Sequence, residues 1–119
     1  MIFYNKLIYT IMTIYISLPI TGQEQEAREK ADLTKAMLSR SGHQPISPFD
    51  IYAGAKPKWE DYICCDLRAL MDCDAVYLCE GWQFSRGCRI EAKVAQELNL
   101  QILYERQADQ SGTYYYFNR

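Results

Sequence analysis

The stretch Ser85-Arg86-Gly87-Cys88-Arg89-Ile90-Glu91 gathers the residue types that could do chemistry in this 119-residue chain. A glycine at position 87 lets the backbone come close to a ligand, and a helix starting there offers free N–H groups to an anion. Glu91 follows four residues later, in the first turn or so of that helix. The positive end of the helix dipole should keep its carboxylate ionised, as a carboxylate nucleophile requires. A glutamate placed there for helix stability alone would show the same spacing. Asp66 is a second acid, between Ile63 and Leu70 on the border of an apolar helix face, where it either caps a loop or points into a crevice. Asp74, just before an apolar strand, reads as a turn residue. Arg86 and Arg89 could grip a phosphate or simply be solvated. Trp82 and Phe84 could stack on a base or close the top of the core.

Other chemistries find little support. The five cysteines (Cys64, Cys65, Cys73, Cys79 and Cys88) are odd in number, two are adjacent, and no C-x-x-C occurs. They read as small buried apolar residues in a reducing cytoplasm, not as a disulfide framework. Cys88 stands apart, because a helix N-terminus lowers a thiol pKa and would make it reactive. The lone His43 reads as a surface residue, so no metal site and no cofactor are expected. With 13 basic and 15 acidic residues, a net charge of −2 and no block of like charge, the chain has no electrostatic footprint for nucleic acid or a membrane surface. A hydrophobic fraction of 49% with 24% charged residues is that of one globular domain.

The elements that must position these residues alternate between strand and helix. Residues 14–17 form a β-branched and aromatic strand stopped by Pro19, and Pro19-Ile20-Thr21-Gly22 has loop chemistry. A helix over 23–41 turns Ala27, Ala31, Thr34, Met37 and Leu38 to one face and stops at Gly42. A short strand at 44–47, a loop, and a helix at about 59–71 follow, the last with Trp59, Ile63, Leu67, Leu70 and Met71 inward. A continuous apolar strand at 75–79 leads through loop 80–87 to a helix at 88–99 with Ile90, Val94, Ala95 and Leu98 inward, then to a strand at 101–104. This alternation predicts an α/β fold: a small doubly wound, flavodoxin-like or Rossmann-like parallel sheet of strand order 2-1-3-4 with helices on both faces. In that order the winding reverses between the first and third strands, so loops 18–22 and 80–87 flank the ligand crevice.

The two ends of the chain are read separately. Residues 1–20 have an apolar core suggestive of a signal peptide. No A-x-A-like site follows, and the run is too short and too rich in Tyr and Thr to span a bilayer. A cytoplasmic protein whose translation starts at Met12 is the expectation, with 1–11 an extension, 12–105 the domain and 106–119 an aromatic tail. That tail, ending Tyr114-Tyr115-Tyr116-Phe117, should pack as an edge strand or at a subunit contact.

A family resemblance rests on three stretches. Tyr15-Ile16-Ser17-Leu18-Pro19-Ile20-Thr21-Gly22, Asp66-Leu67 with Asp74 eight residues on, and Gly87 to Glu91 followed by Ala92 and Ala95 together resemble the nucleoside 2-deoxyribosyltransferase-like superfamily. The match is nearest to a short uncharacterised bacterial and phage branch and covers about residues 14–104. The resemblance implies cleavage of the N-glycosidic bond of a deoxynucleoside or its 5′-monophosphate. It makes Glu91 the nucleophile that attacks the anomeric carbon, and Asp66 the group that contacts the base and assists its departure. Ser85 stands where the transferases carry an aspartate and is similar to the phosphate-binding serine of the deoxynucleoside 5′-monophosphate N-hydrolases. The first loop departs from those hydrolases, with Leu18-Pro19 and Thr21 in place of a Gly-Ser pair and an arginine. The expected ligand contacts are Ser17, Pro19, Thr21, Gly22, Trp82, Ser85, Arg86 and Gly87, and the expected assembly is a homodimer or higher homo-oligomer. The rival expectation is a nucleotide-sensing module on the same fold without turnover, which the altered first loop favours.

Overall fold

A computed structural model describes residues 10–105 in full and, at the ends, the backbone of residues 3–4, 7–8 and 116–118. Four parallel strands carry the fold: β1 (Thr13–Ser17), β2 (Gln44–Ile46), β3 (Ala75–Leu78) and β4 (Gln101–Glu105). A fifth, β5 (Tyr116–Asn118), runs antiparallel along the β4 edge, and the sheet order is β2-β1-β3-β4-β5. The parallel part therefore has the expected 2-1-3-4 order. Three helices connect the strands: α1 (Glu24–Arg40), α2 (Trp59–Met71) and α3 (Arg86–Glu97). Of the two chain ends, Phe3–Tyr4 pairs antiparallel with Leu7–Ile8. Expectations about the rest of residues 1–9, and about 106–115 and 119, lie outside the described residues.

Strand periodicity sorts the central side chains onto two faces, because neighbouring residues point to opposite sides of a sheet. Ile14 and Ile16 of β1, with Ala75 and Tyr77 of β3, join Ala27, Ala31 and Leu38 of α1 in one core. Tyr15, with Val76 and Leu78, joins Leu70 of α2 and Ala95 of α3 in the other. The helices thus cover both faces, α1 on one side and α2 with α3 on the other. Each fully buried Ile or Leu contributes about 1.5–3 kcal/mol, so these two layers hold the sheet while the loops beyond its carboxyl ends carry polar groups.

Some details of the helices differ from the pattern reading. Met71 and Leu98, expected inward, are 47% exposed each. The buried residues of α3 are Cys88, Glu91 and Ala95, so an acid occupies the middle of its inward stripe. The helix also begins at Arg86 with Ser85 as its N-cap, whose hydroxyl accepts from the Cys88 N–H at 3.3 Å. Glu91 consequently lies in the second turn, farther from the positive end of the dipole than its distance from Gly87 suggested.

Candidate active site

Tyr15 and Ser17 are two residues apart on β1 and so project from the same face, toward α3. There the Tyr15 hydroxyl donates to Glu91 Oε2 at 2.8 Å and the Ser17 hydroxyl donates to Oε1 at 2.7 Å. Each carboxylate oxygen of Glu91 is thus held by its own hydroxyl, and the residue is 4% exposed. α2 brings Asp66 to the same place. Positions 59, 62, 63 and 66 fall on one side of a helix, and Trp59, Tyr62, Ile63 and Asp66 all line one cavity with Glu91. That cavity, about 460 Å³, is completed by Leu18, Ile20, Thr21, Phe49, Ser85 and Gly87 among others. A second lobe of about 680 Å³ shares Ile20, Thr21, Trp59, Ser85 and Gly87 with it, and adds Pro19, Glu80, Gly81, Phe84 and Arg86. The two form one cleft over the carboxyl ends of β1 and β3, where the winding of the sheet reverses.

Electrostatics in this cleft are set by burial. Desolvation pushes Glu91 up to about 7, helped by the charge of Asp66, while the hydroxyls of Ser17 and Tyr15 pull it down. The expectation that the helix dipole keeps Glu91 fully ionised is corrected here, because burial outweighs a dipole felt from the second turn. Asp66 is pushed up to about 6 by desolvation, against a lowering contact with the Tyr15 hydroxyl. Tyr15 therefore acts on both acids. Its own pKa lies well above the usual phenol value, through burial first and the charge of Glu91 second, so it remains a neutral donor. Two carboxyl groups that change charge near neutrality and share a cavity can supply a nucleophile and a proton to one reaction.

Five of the ligand contacts expected from sequence line the cleft: Pro19, Thr21, Ser85, Arg86 and Gly87. Ser17, Gly22 and Trp82 do not. Ser17 is fully buried beneath Glu91, which it holds. Gly22 turns the chain into α1 at φ +81°, its N–H meeting the Glu24 carboxylate at 3.2 Å. Trp82 packs on the core against Tyr104, ring centroids 6.0 Å apart. Phe84 does not close the core either, being 89% exposed at the rim of the second lobe. Arg86 stacks over the Trp59 ring at 4.4 Å, whereas Arg89 turns back to donate to the Gln83 carbonyl at 3.0 Å and does not line the cleft. A methyl group at Gly87 would meet nothing closer than Ile63 Cδ1 at 3.8 Å. The protein's own packing thus leaves room for a methyl group there.

Several residues of the site escaped the sequence reading. Tyr15, fully buried and not itself lining the cleft, entered that reading only within a strand and within the stretch that carries the resemblance, although its place two residues before Ser17 puts it on the same face. Phe49, Tyr62 and Arg28 lie on segments read as loop or outward helix. Cys88, expected to be reactive at a helix start, is 2% exposed, and burial pushes its thiol up. Cys73 and Cys79 are buried as expected, whereas Cys64 is exposed. His43 is half-buried, its Nδ1 accepting from the Met12 N–H at 3.1 Å. Asp74, expected as a turn residue, accepts from the Thr13 N–H at 2.9 Å, a tie across 61 residues that holds the start of β1. Among the described residues no cluster of His, Cys, Asp and Glu could hold a metal ion, and no helix is long and apolar enough to cross a membrane.

A family described as a domain of unknown function, DUF4406, matches residues 12–104. The chain belongs to this family. No curated protein matches the chain. In this DUF4406 domain the matched segment runs from the residue before β1 into β4, and so includes every residue placed around the cleft above.

Proposed function

We propose that this DUF4406 domain cleaves the N-glycosidic bond of a deoxynucleoside or its 5′-monophosphate, as its resemblance to the nucleoside 2-deoxyribosyltransferase-like superfamily implies. The observation that carries the reading is Glu91, buried with a hydroxyl donor on each oxygen and lining one cavity with Asp66. In the first step a Glu91 oxygen bonds to the anomeric carbon as the carbon–nitrogen bond breaks, and the bonding pair leaves with the base. Asp66 in its protonated form delivers its proton to the departing base. An oxocarbenium-like transition state is stabilised by the adjacent carboxylate. In the second step water or another base attacks the anomeric carbon, Glu91 leaves, and Asp66 takes up the proton released. Ser85, Gly87 and Arg86, at the start of α3, supply the contacts for a phosphate.

One observation favours the non-catalytic sensor: Leu18 is 4% exposed and fills the wall of the cavity where the hydrolases carry a glycine. A single assay separates the two readings. Base release is followed from a panel of deoxynucleosides and their 5′-monophosphates, with wild type beside Glu91→Ala and Asp66→Asn. Release by wild type that disappears in Glu91→Ala supports the glycosidase. No release from any substrate, with a nucleotide still raising the melting temperature, overturns it in favour of the sensor.

A further inference from the structure

The two lobes of the cleft differ in chemistry, and Arg28 belongs to only one of them. The lobe beyond Ser85 holds Arg86 and the first turn of α3, a cation and backbone N–H groups that suit a phosphate, beside the Glu80 carboxylate and the apolar Pro19 and Phe84. The lobe that holds Glu91 and Asp66 is walled by Phe49, Ile51, Trp59, Tyr62 and Ile63, an apolar and aromatic setting that suits a flat heterocycle. Arg28 projects into this second setting from α1, and its guanidinium stacks over the Phe49 ring at 4.4 Å. Among the described residues no carboxylate or carbonyl oxygen pairs with it; Glu24, one turn earlier and in the same lobe, is not within ion-pair distance. The stack holds the guanidinium plane while its N–H edges stay available.

We propose that Arg28 reads the base, and that the cleft prefers a base with two adjacent hydrogen-bond acceptors: guanine through O6 and N7, or cytosine through O2 and N3. This rests on the N-glycosidase reading above. A guanidinium is a fork of donors with no acceptor, so it needs an acceptor pair. Adenine places an amino donor beside its N7 and its N1, and thymine places an N–H donor between its two carbonyl oxygens. The preferred edges are also where negative charge collects as the carbon–nitrogen pair moves onto the leaving base, so Arg28 assists departure while Asp66 delivers the proton.

The test is the rate of base release from dGMP, dCMP, dAMP and dTMP by wild type, Arg28→Ala and Arg28→Lys, with the melting temperature of each variant as a control on folding. Wild type should favour dGMP or dCMP over dAMP and dTMP by about tenfold to a hundredfold, the discrimination expected of one bidentate contact. Arg28→Ala should lose that advantage, its rates falling at least about tenfold further on dGMP or dCMP than on dAMP and dTMP. Arg28→Lys should not restore it, because an ammonium cannot form the fork. An equal loss on all four substrates overturns the inference, as does a wild type without base preference. If wild type releases no base at all, the glycosidase reading falls, and the four nucleotides are compared by the shift in melting temperature each produces. A larger shift with dGMP or dCMP that Arg28→Ala abolishes still supports base reading by Arg28. Equal shifts, or none, overturn it.

Discussion

Glu91 is held by Tyr15 and Ser17 in a site too dry for a free carboxylate, and its pH behaviour follows. With Glu91 near 7 and Asp66 near 6, the form with Glu91 ionised and Asp66 protonated peaks between those values. The proposed base release should therefore give a bell-shaped kcat/KM profile centred near pH 6.5. Asp66→Asn should abolish the alkaline limb, and a profile flat from pH 5 to about 8 would sink the assignment. Stability runs the other way from an ordinary paired carboxylate. Glu91 binds a proton more tightly folded than unfolded, so the folded state loses stability as pH rises from the unfolded value of 4.5 through about 7. Glu91→Gln should thus raise the melting temperature at pH 8 and change it little at pH 4. Thermal melts at the two pH values decide this. Tyr15→Phe removes a donor that lowers both Glu91 and Asp66, and should move both limbs of the rate profile to higher pH, with kcat reduced about tenfold to a hundredfold. Unmoved limbs would mean that Tyr15 only packs.

At the scale of elements, the start of α3 combines two functions that substitution can separate. Ser85 caps the helix through the Cys88 N–H and also lines both lobes of the cleft. Ser85→Ala should cost about 1 kcal/mol of stability through the lost cap, read from chemical denaturation, in addition to any loss of ligand affinity. Gly87→Ala should behave differently. A methyl group there clears the nearest protein atom, Ile63 Cδ1, by an ordinary contact distance, and alanine favours a helix by up to about 1 kcal/mol over glycine. The variant should be at least as stable as wild type yet bind nucleotide less well, measured by calorimetric titration. Destabilisation would place the need for glycine in the fold and not in the ligand.

Across the whole molecule, Glu105 at the end of β4 ties the parts around the cleft together. Its carboxylate accepts from Lys30 Nζ of α1 at 2.6 Å and from the Glu80 N–H, just beyond β3, at 2.8 Å. The Glu105 side chain is only 7% exposed, and removing it takes away both hydrogen bonds, the one from Lys30 and the one from the exposed Glu80 N–H. Glu105→Ala should cost about 1–3 kcal/mol and raise hydrogen exchange at Glu80; unchanged exchange would count against the tie. β5 lies at the open edge of the sheet, and such an edge can pair with another chain. The homodimer or higher homo-oligomer expected from the family resemblance should give a light-scattering mass of at least about twice 13.9 kDa, and a monomer would exclude it.

What the sequence determined by itself was the alternation of elements and the identity of the two acids. Strand runs such as Ala75-Val76-Tyr77-Leu78 and the stripe Ala27, Ala31, Thr34, Leu38 are local periodicities, and short connections between them leave few topologies open. Asp66 was legible as an acid bordering an apolar helix face, and Glu91 through its spacing from Gly87 at the start of a helix. Only the tertiary structure decided what surrounds them. Tyr15 and Ser17 are 76 and 74 residues from Glu91 along the chain, and their hydrogen bonds exist because β1 and α3 meet on one face of the sheet. Arg28 and Phe49 enter the cleft from α1 and the loop after β2, segments whose local pattern says only that they are helix and loop. The ionisation of Glu91 was misjudged from sequence for the same reason. A dipole can be read from position in a helix, whereas desolvation depends on what the rest of the chain packs against it.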